Sequence, residues 1–324
     1  MINPFAHVDH AGWFAGQETN LPAPFVLMCR GSSGSRFLAE IFAKNGIWMG
    51  DRLNESSDSF LLLEKLVVPF MNSGDFPLLR VADGDAAGRH AHRLDESFAD
   101  FLHAYPGGPW GWKLPETIFI VPLLKRRFPG ARFIHLIRDG RDVILSDNGL
   151  FGLPCRHDGL IGIPFLYFLR AGSIEELYRR LWPYLNRRRS DDYLLKTIFN
   201  RSSPRTWNGI PLDRWNVRRI RYQLGMLAWV NHVETARRYG QEMPGDYYEV
   251  RYEDLCTKPV ETLEKLLAGL GLSLTDEARD YARSRAHRGR IGKWRDVELP
   301  PELRAGFREA LHIGRPLLAQ LGYE

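Results

Sequence analysis

A loop of small and basic residues, RGSSGSRF at 30–37, carries the first recognisable chemistry in the chain. It follows the apolar run 25–29 and precedes apolar residues at helical spacing, so a strand, a loop and a helix are predicted in succession. Backbone N–H groups in such a loop and at a helix N-terminus bind phosphate and sulfate groups. The loop lacks the Gly-Lys-Ser/Thr ending of a Walker A motif, and the GxGxxG dinucleotide pattern is absent from it. The sequence therefore predicts an anion cradle and disfavours an ordinary ATPase or GTPase.

A second segment, RFIHLIRDGRDVILS at 132–146, combines a guanidinium group with a hydroxyl group. Arg138 follows the apolar run 132–137, and Ser146 comes eight residues later, two turns into the next predicted helix. Side chains of these types could bind one phosphate group together. Parallel sheets bind their ligands at the carboxyl ends of the strands. If the runs 25–29 and 132–137 are neighbouring strands, the loop 30–37 and Arg138 belong to one site.

Strand-like and helix-like segments alternate along the chain. The predicted strands are 25–29, 110–113, 132–137 and 247–250. Besides those that follow the loops at 30–37 and 138–140, the predicted helices are 54–71, 94–104, 115–127, about 213–239, 259–270, 275–286 and 300–320. This alternation predicts an α/β fold with a central parallel sheet flanked by helices. Because no linker-like tract divides the chain, we expect a single domain over 1–324, with 150–212 as a helical or irregular insertion.

Composition restricts the class of protein further. The net charge is +5 and the arginines cluster, which favours an anionic ligand or a polyanionic surface. Three cysteines without metal-ligand spacing argue against a disulfide framework or a zinc site, and for a reducing compartment. No apolar stretch reaches the ~20 residues of a membrane-spanning helix, and the N-terminus does not read as a signal peptide. We therefore expect a cytoplasmic protein without a transmembrane segment, for which peripheral membrane contact stays open.

Four segments, in this order, resemble the sulfotransferases that use 3′-phosphoadenosine 5′-phosphosulfate (PAPS) as donor. SSGSRFL (32–38) is similar to the loop that binds the 5′-phosphosulfate, and RFIHLIRDGRDVILS to the segment whose arginine and serine bind the 3′-phosphate. VRYEDL with Pro259 resembles a structural segment of the family, and RGRIGKW (288–294) resembles the C-terminal loop that closes over the donor. The resemblance implies a P-loop-NTPase-like sulfotransferase architecture, PAPS as co-substrate and 3′-phosphoadenosine 5′-phosphate (PAP) as product.

The resemblance also implies the residues that bind the donor. These are Arg30, Gly31, Ser32, Ser33, Gly34, Ser35, Arg36, Phe37, Arg138, Ser146, Arg288, Gly289 and Arg290. Many members place Lys or Arg where this chain has Ser32, so Arg30, Arg36 or Lys113 must supply the positive charge here. His287 stands where the family has the leading arginine of the C-terminal loop. The scheme requires no metal ion, and the sequence offers no convincing ligand cluster.

The general base is a separate expectation. Cytosolic members carry a histidine in a Lys-Thr-His-Leu-Pro stretch, and the comparable GWKLPET (111–117) has none. Glu116 is the first candidate for the base and Asp58 the second, while Lys113 and Arg36 are candidates for stabilising negative charge. His135 alternates with apolar residues on a predicted buried strand, which favours a core imidazole.

We expect the acceptor to be a hydroxylated small molecule, a carbohydrate or a lipid that offers a hydroxyl or amine group, and we expect no nucleic-acid partner. The insertion 150–212 would serve as a lid or bind the acceptor. Two alternatives stay open at this point. One is a P-loop-like small-molecule kinase that uses ATP and magnesium, with Arg36 or Lys113 replacing the Walker lysine and Asp139 binding the metal. The other is a nucleotide- or polyanion-binding protein without catalysis.

Overall fold

The computed structural model describes residues 21–62, 84–146, 206–207, 210–211 and 214–323. The chain divides into two compact units. The first, called the core unit below, comprises Met1–Phe70, Asp75–Arg138 and His232–Ile291; the second unit comprises Met71–Gly74, Asp139–Asn231 and Gly292–Glu324. Nearly all of the predicted insertion 150–212 lies outside the described residues, and the expectation of a single domain stays a prediction.

A four-stranded parallel sheet forms the centre of the core unit, as the sequence predicted. The strands are β1 (Phe25–Cys29), β2 (Gly111–Lys113), β3 (Arg132–Ile137) and β6 (Tyr247–Arg251), in the order β2-β1-β3-β6. Separately, β4 (Thr206–Trp207) pairs antiparallel with β5 (Ile210–Pro211). All five residues of β1 are buried, because a central parallel strand is covered on both faces. β1 and β3 are direct neighbours, so their carboxyl ends meet at one edge of the sheet.

The helices follow the predicted alternation. They are α1 (Ser35–Lys44), α2 (Phe60–Leu62), α3 (Gly84–Phe101), α4 (Val121–Arg127), α5 (Gly140–Ser146), α6 (Arg214–Glu242), α7 (Tyr252–Thr257), α8 (Pro259–Gly269), α9 (Asp276–Arg285) and α10 (Pro301–Gln320). α1 buries Leu38, Ile41 and Phe42 on one face, at the spacing that predicted it, and these side chains join the core cluster of β1 and β3.

The predicted helix 54–71 is wrong for its first six residues, which form a loop; residues 63–71 are not described. Oδ1 of Asn54 accepts the backbone N–H groups of Ser56 and Asp58, both at 2.9 Å. Ser57 has a φ of 60°, outside the helical range. Local bonds from an Asn side chain compete with the helical ladder, and helix α2 begins only at Phe60.

Three further helices differ from the sequence prediction. The predicted helix 115–127 is a 3₁₀-helix over Pro115–Ile120 followed by α4, because Pro122 has no N–H for a continuous ladder. The predicted helix 94–104 begins ten residues earlier, as α3. Helix α7 is short and follows β6 directly, and the sequence pattern did not predict it. No helix among the described residues is long and apolar enough to cross a membrane.

Candidate active site

The loop after β1 has the backbone geometry of an anion cradle. Ser32 and Gly34 have φ values of 67° and 85°, both left-handed. The N–H of Ser33 donates to the carbonyl of Arg30 at 3.2 Å, which closes a turn, and α1 begins at Ser35. The first N–H groups of a helix have no partner within the helix, and left-handed residues just before it bring further N–H groups to the same place. A side chain added at Gly31 would meet open space.

Tyr252 packs directly on this loop. A Cβ atom at Gly34 would overlap the Tyr252 ring, so close approach and positive φ both require glycine there. Tyr252 is 4% exposed, and burial together with a hydrogen bond to Cys256 raises its pKa to about 12. Its phenol therefore stays neutral. The family resemblance of VRYEDL implies only a structural role. The sequence signal for a place in the site is that Tyr252 directly follows β6, the neighbour of β3.

Arg138 joins three parts of the core unit. Its Nη1 donates to the carbonyl of Ser32 at 3.1 Å, and its Nη2 donates to the carbonyl of Arg290 at 2.7 Å. The guanidinium stacks on the Tyr252 ring at 4.6 Å, and the residue is only 4% exposed. The structure therefore brings together the loop after β1, Arg138 and the C-terminal segment, which sequence reasoning placed in one site.

Lys113 and Asp58, predicted as a cation and as the second candidate base, form a buried ion pair. Nζ of Lys113 lies 2.5 Å from Oδ1 of Asp58 and donates to the carbonyl of Ser56 at 2.9 Å. Asn54 donates to Oδ2 of Asp58 at 3.0 Å, so both carboxylate oxygens are engaged. Lys113 ends β2, and its carbonyl accepts the N–H of Ser59 at 2.9 Å. The loop 54–59 thus fixes the ammonium group at the carboxyl end of the sheet.

The other predicted catalytic residues, Arg36 and Glu116, and the donor-binding candidates Arg30 and Phe37 lie on three different elements. Arg36, in the first turn of α1, is exposed and donates to the carbonyl of Glu55 at 2.9 Å. Arg30 is buried where β1 ends. Glu116 lies in the 3₁₀-helix that follows β2, but its side chain is outside the described part of the structure. Phe37 packs against Tyr281, with ring centroids 6.4 Å apart.

The predicted C-terminal donor residues form an exposed 3₁₀ turn, Arg288–Arg290. Arg288 donates to the carbonyl of Thr257 at 3.1 Å, and Arg290 offers its carbonyl to Arg138. A side chain at Gly289 would meet open space. In the second unit, Ser146 is half-buried and is the last residue of α5.

Two residues of the second unit bear on the alternatives left open by the sequence. Oδ1 of Asp139 accepts from Nε of Arg141 at 2.9 Å, and Oδ2 accepts from Nη2 at 2.8 Å. The carboxylate of Asp139 is therefore held in an ion pair. The kinase alternative assigned Asp139 to a metal ion. Within the described ranges, no group of three or more His, Cys, Asp or Glu side chains is placed to hold one.

His135 is a core residue, as its alternation on β3 predicted. It is fully buried, and its Nδ1 lies 2.7 Å from the hydroxyl of Tyr247. Burial, helped by the charges of His232 and Arg237, lowers the pKa of His135 to about 3. The imidazole is therefore neutral at physiological pH.

A sequence model of the sulfotransferase family matches residues 28–154 and 201–276, which together make up more than half of the chain. The chain belongs to this family. The match confirms the resemblance seen in the sequence, and with it the expected enzyme class, a PAPS-dependent sulfotransferase. The matched ranges of this sulfotransferase include the cradle loop, Lys113, Arg138 and Ser146. They end before the C-terminal segment 288–294, whose place in the site depends on the contact between Arg138 and Arg290.

One solved structure supports the fold, and others align with the chain less closely. The sulfotransferase domain from the curacin biosynthetic pathway aligns with a TM-score of 0.50 at 14% identity, covering 94% of this chain and 99% of that one. The sulfotransferase domain of the Synechococcus PCC 7002 olefin synthase aligns with a TM-score of 0.46 at 14% identity, over 93% and 97%. Mouse sulfotransferase SULT7A1 complexed with PAP aligns with a TM-score of 0.40 at 14% identity, over 93% and 89%. No curated protein sequence gives a significant match.

Proposed function

We propose that this sulfotransferase moves the sulfuryl group of PAPS to a hydroxyl or amine group of a carbohydrate or glycolipid acceptor, with a carboxylate as base. The observation that carries the proposal is Arg138, whose guanidinium contacts the carbonyls of both Ser32 and Arg290. One buried cation thus adjoins both loops that the family resemblance assigns to the donor. An anionic donor fits this arrangement, since the cradle offers N–H groups and Arg138 adds a full positive charge.

The cradle residues 31–35 would bind the 5′-phosphosulfate end, and Arg138 with Ser146 would bind the 3′-phosphate. Arg30 lies where β1 runs into the cradle, and Arg36 lies in the first turn of α1. Phe37 lies in the same turn, and the turn Arg288–Arg290 would cover the donor. Ser33 and Ser35 are buried with the cradle, whereas Ser32 is exposed.

Lys113 takes the role of the cation that many members place before the Ser-Gly of the cradle. Its ammonium is held where β2 ends, next to β1 in the sheet. Sulfuryl transfer resembles phosphoryl transfer, in which a charge-spreading group passes in line between two oxygens. A single well-placed donor that stabilises the charge on the departing oxygen is worth about 3 kcal/mol.

Removal of the acceptor proton requires a base, worth about 10²- to 10⁴-fold in rate. Asp58 is bonded to Lys113 and Asn54, so we assign it to holding Lys113 rather than to proton transfer. Glu116, three residues after Lys113, is our candidate for the base. We propose this acceptor class because residues 150–212 are rich in basic and aromatic side chains, and we propose that this range lines the acceptor site.

The test is transfer of labelled sulfate from PAPS to a panel of sugars, glycolipids and simple alcohols and amines, together with calorimetry of PAP against ATP-magnesium. We expect tight PAP binding and transfer to at least one member of the panel. Preference for ATP-magnesium would contradict the proposal, and PAP binding without transfer to any acceptor would favour the non-catalytic alternative.

A further inference from the structure

The carboxylate of Asp142 holds the backbone of the C-terminal loop. Asp142 lies in the first turn of α5 and is 0% exposed. Its Oδ2 accepts the N–H of Gly292 at 2.7 Å, and its Oδ1 accepts the N–H of Trp294 at 3.1 Å. A buried carboxylate is tolerated only when hydrogen bonds compensate for the lost water, so the loop backbone and the carboxylate depend on each other.

A neighbouring side chain on the same turn adds a second contact to the loop. The guanidinium of Arg141 lies over the ring of Trp294 at 3.9 Å. The ion pair with Asp139 fixes the orientation of that guanidinium. A cation above an indole ring is attracted by the ring's negative face. The first turn of α5 thus holds Trp294 both through its backbone and through its ring.

The loop around Lys293 also has local turn structure. Gly292 has a left-handed φ of 71°, and a short 3₁₀ turn, Lys293–Arg295, follows it. Lys293 and Arg295 are exposed. The two N–H groups that meet Asp142 flank Lys293, so one carboxylate fixes the backbone on both sides of an exposed residue.

The preceding turn of the same segment is held by Arg138, which donates to the carbonyl of Arg290. Arg138 and Asp142 are four residues apart in the chain, and together they contact residues 290, 292 and 294. The cation assigned to the donor's 3′-phosphate and the carboxylate that holds the loop therefore belong to one short segment, 138–142.

We propose that Asp142 is a positioning residue that holds the C-terminal loop 288–294 in the conformation that binds the donor. This inference rests on the proposed function, because the loop's role is to cover PAPS. If asparagine replaced Asp142, one loop N–H would face the N–H donor of the side-chain amide. The loop would then spend only part of its time in the conformation that binds the donor. A ligand's apparent affinity falls in proportion to that fraction.

The variant Asp142→Asn keeps the shape of the side chain and removes the charge. We expect the Kd of PAP, measured by calorimetry, to rise at least tenfold, and the KM of PAPS to rise with it, while the acceptor KM changes little. Asp280→Asn, an exposed carboxylate on α9, is the matched control and should leave all three values unchanged. Equal PAP affinity in Asp142→Asn and in the wild type would overturn the inference.

Limited trypsin digestion tests the loop without any ligand. Cleavage after Lys293 should be at least tenfold faster in ligand-free Asp142→Asn than in the wild type or in Asp280→Asn, and PAP should protect the wild type better than the variant. If the wild type binds no PAP but its loop is cleaved slowly, the proposed function fails and the positioning role survives. Equal cleavage rates would overturn the positioning role.

Hydrogen–deuterium exchange of the wild type covers the case in which Asp142→Asn does not fold. The amides of Gly292 and Trp294 should exchange at least a hundredfold more slowly than in an unstructured peptide of the same sequence. Exchange at the unstructured rate at both amides would overturn the inference.

Discussion

The ammonium of Lys113 lies 2.5 Å from Oδ1 of Asp58, and both side chains are largely buried. The two residues are 55 positions apart in sequence, one at the end of β2 and the other in the loop closed by Asn54. The sequence predicts a catalytic role for each residue but does not predict that they are paired. Because the two side chains are paired, kinetics can distinguish two roles for Asp58. Substituting Asp58 would lower the rate further after loss of Lys113 if Asp58 is a general base, but not if Asp58 only positions Lys113.

Lys113→Met should lower kcat by about 10²- to 10³-fold, as expected for loss of one charge-stabilising donor, with a small change in PAP affinity. Asp58→Asn should also lower kcat, because Lys113 loses the group that orients it. The double variant should be no slower than Lys113→Met alone, since both changes remove the same interaction. Multiplied losses in the double variant would instead identify Asp58 as an independent base. Steady-state kinetics of all three variants provide the measurement.

Gly34→Ala should abolish donor binding. The added Cβ overlaps the Tyr252 ring, and the φ of 85° is strained for alanine. Gly46→Ala is the matched control, because Gly46 has a φ of 82° but open space around its Cα. The control should lose only about 1 kcal/mol of unfolding free energy, because alanine is strained in the left-handed region, and it should keep its PAP affinity. Calorimetry and thermal melting compare the pair; similar PAP affinity in both variants would contradict the close packing of Tyr252 on the cradle.

Tyr252→Leu should weaken PAP binding about tenfold, whereas Tyr252→Phe should stay close to the wild type. The ring supports the guanidinium of Arg138 through a cation–π contact, worth about 1–2 kcal/mol in a buried setting. Phenylalanine keeps that ring and leucine does not. Equal Kd values for PAP in the two variants would show that the ring face does not support Arg138.

The unfolding free energy should fall in acid because of His135. Its pKa is about 3 in the folded protein and about 6.5 in the unfolded chain, so below pH 6.5 protons bind the unfolded state preferentially. The stability that this residue provides is complete above pH 6.5 and is lost as the pH falls towards 3. At pH 5 the loss amounts to about 2 kcal/mol by linkage. Urea titrations of the wild type and His135→Gln at pH 7.5 and pH 5 measure it; an equal pH dependence in both would contradict the assignment.

The sheet and the cradle could be predicted from the sequence because they depend on local patterns. An apolar run, small residues and an amphipathic helix follow one another in β1, the cradle and α1. The proximity of the cradle to Arg138 also followed, since neighbouring parallel strands end at one edge of the sheet. Periodicity predicts a helix at the Asn54 loop, because it does not show that an Asn side chain can bond its own backbone.

The contacts of Tyr252, Asp58 and Asp142 could not be predicted in the same way. Tyr252 reaches Gly34 and Arg138 across the sheet, and Asp142 bonds Gly292, 150 residues further along the chain. No spacing rule within one segment encodes a contact between segments so far apart. Within RDGRD, nothing in the spacing distinguishes Asp142 from an ordinary carboxylate in the first turn of a helix.

The central claim is that Arg138 binds the 3′-phosphate of the donor whose 5′ end occupies the cradle. Calorimetry with PAP and with adenosine 5′-monophosphate, on the wild type, Arg138→Ala and the control Arg132→Ala at the other end of β3, tests it directly. In the wild type and the control, PAP should bind at least about 100-fold more tightly than the monophosphate, which corresponds to about 2.7 kcal/mol. In Arg138→Ala that preference should vanish. An undiminished preference for PAP in Arg138→Ala would contradict the account.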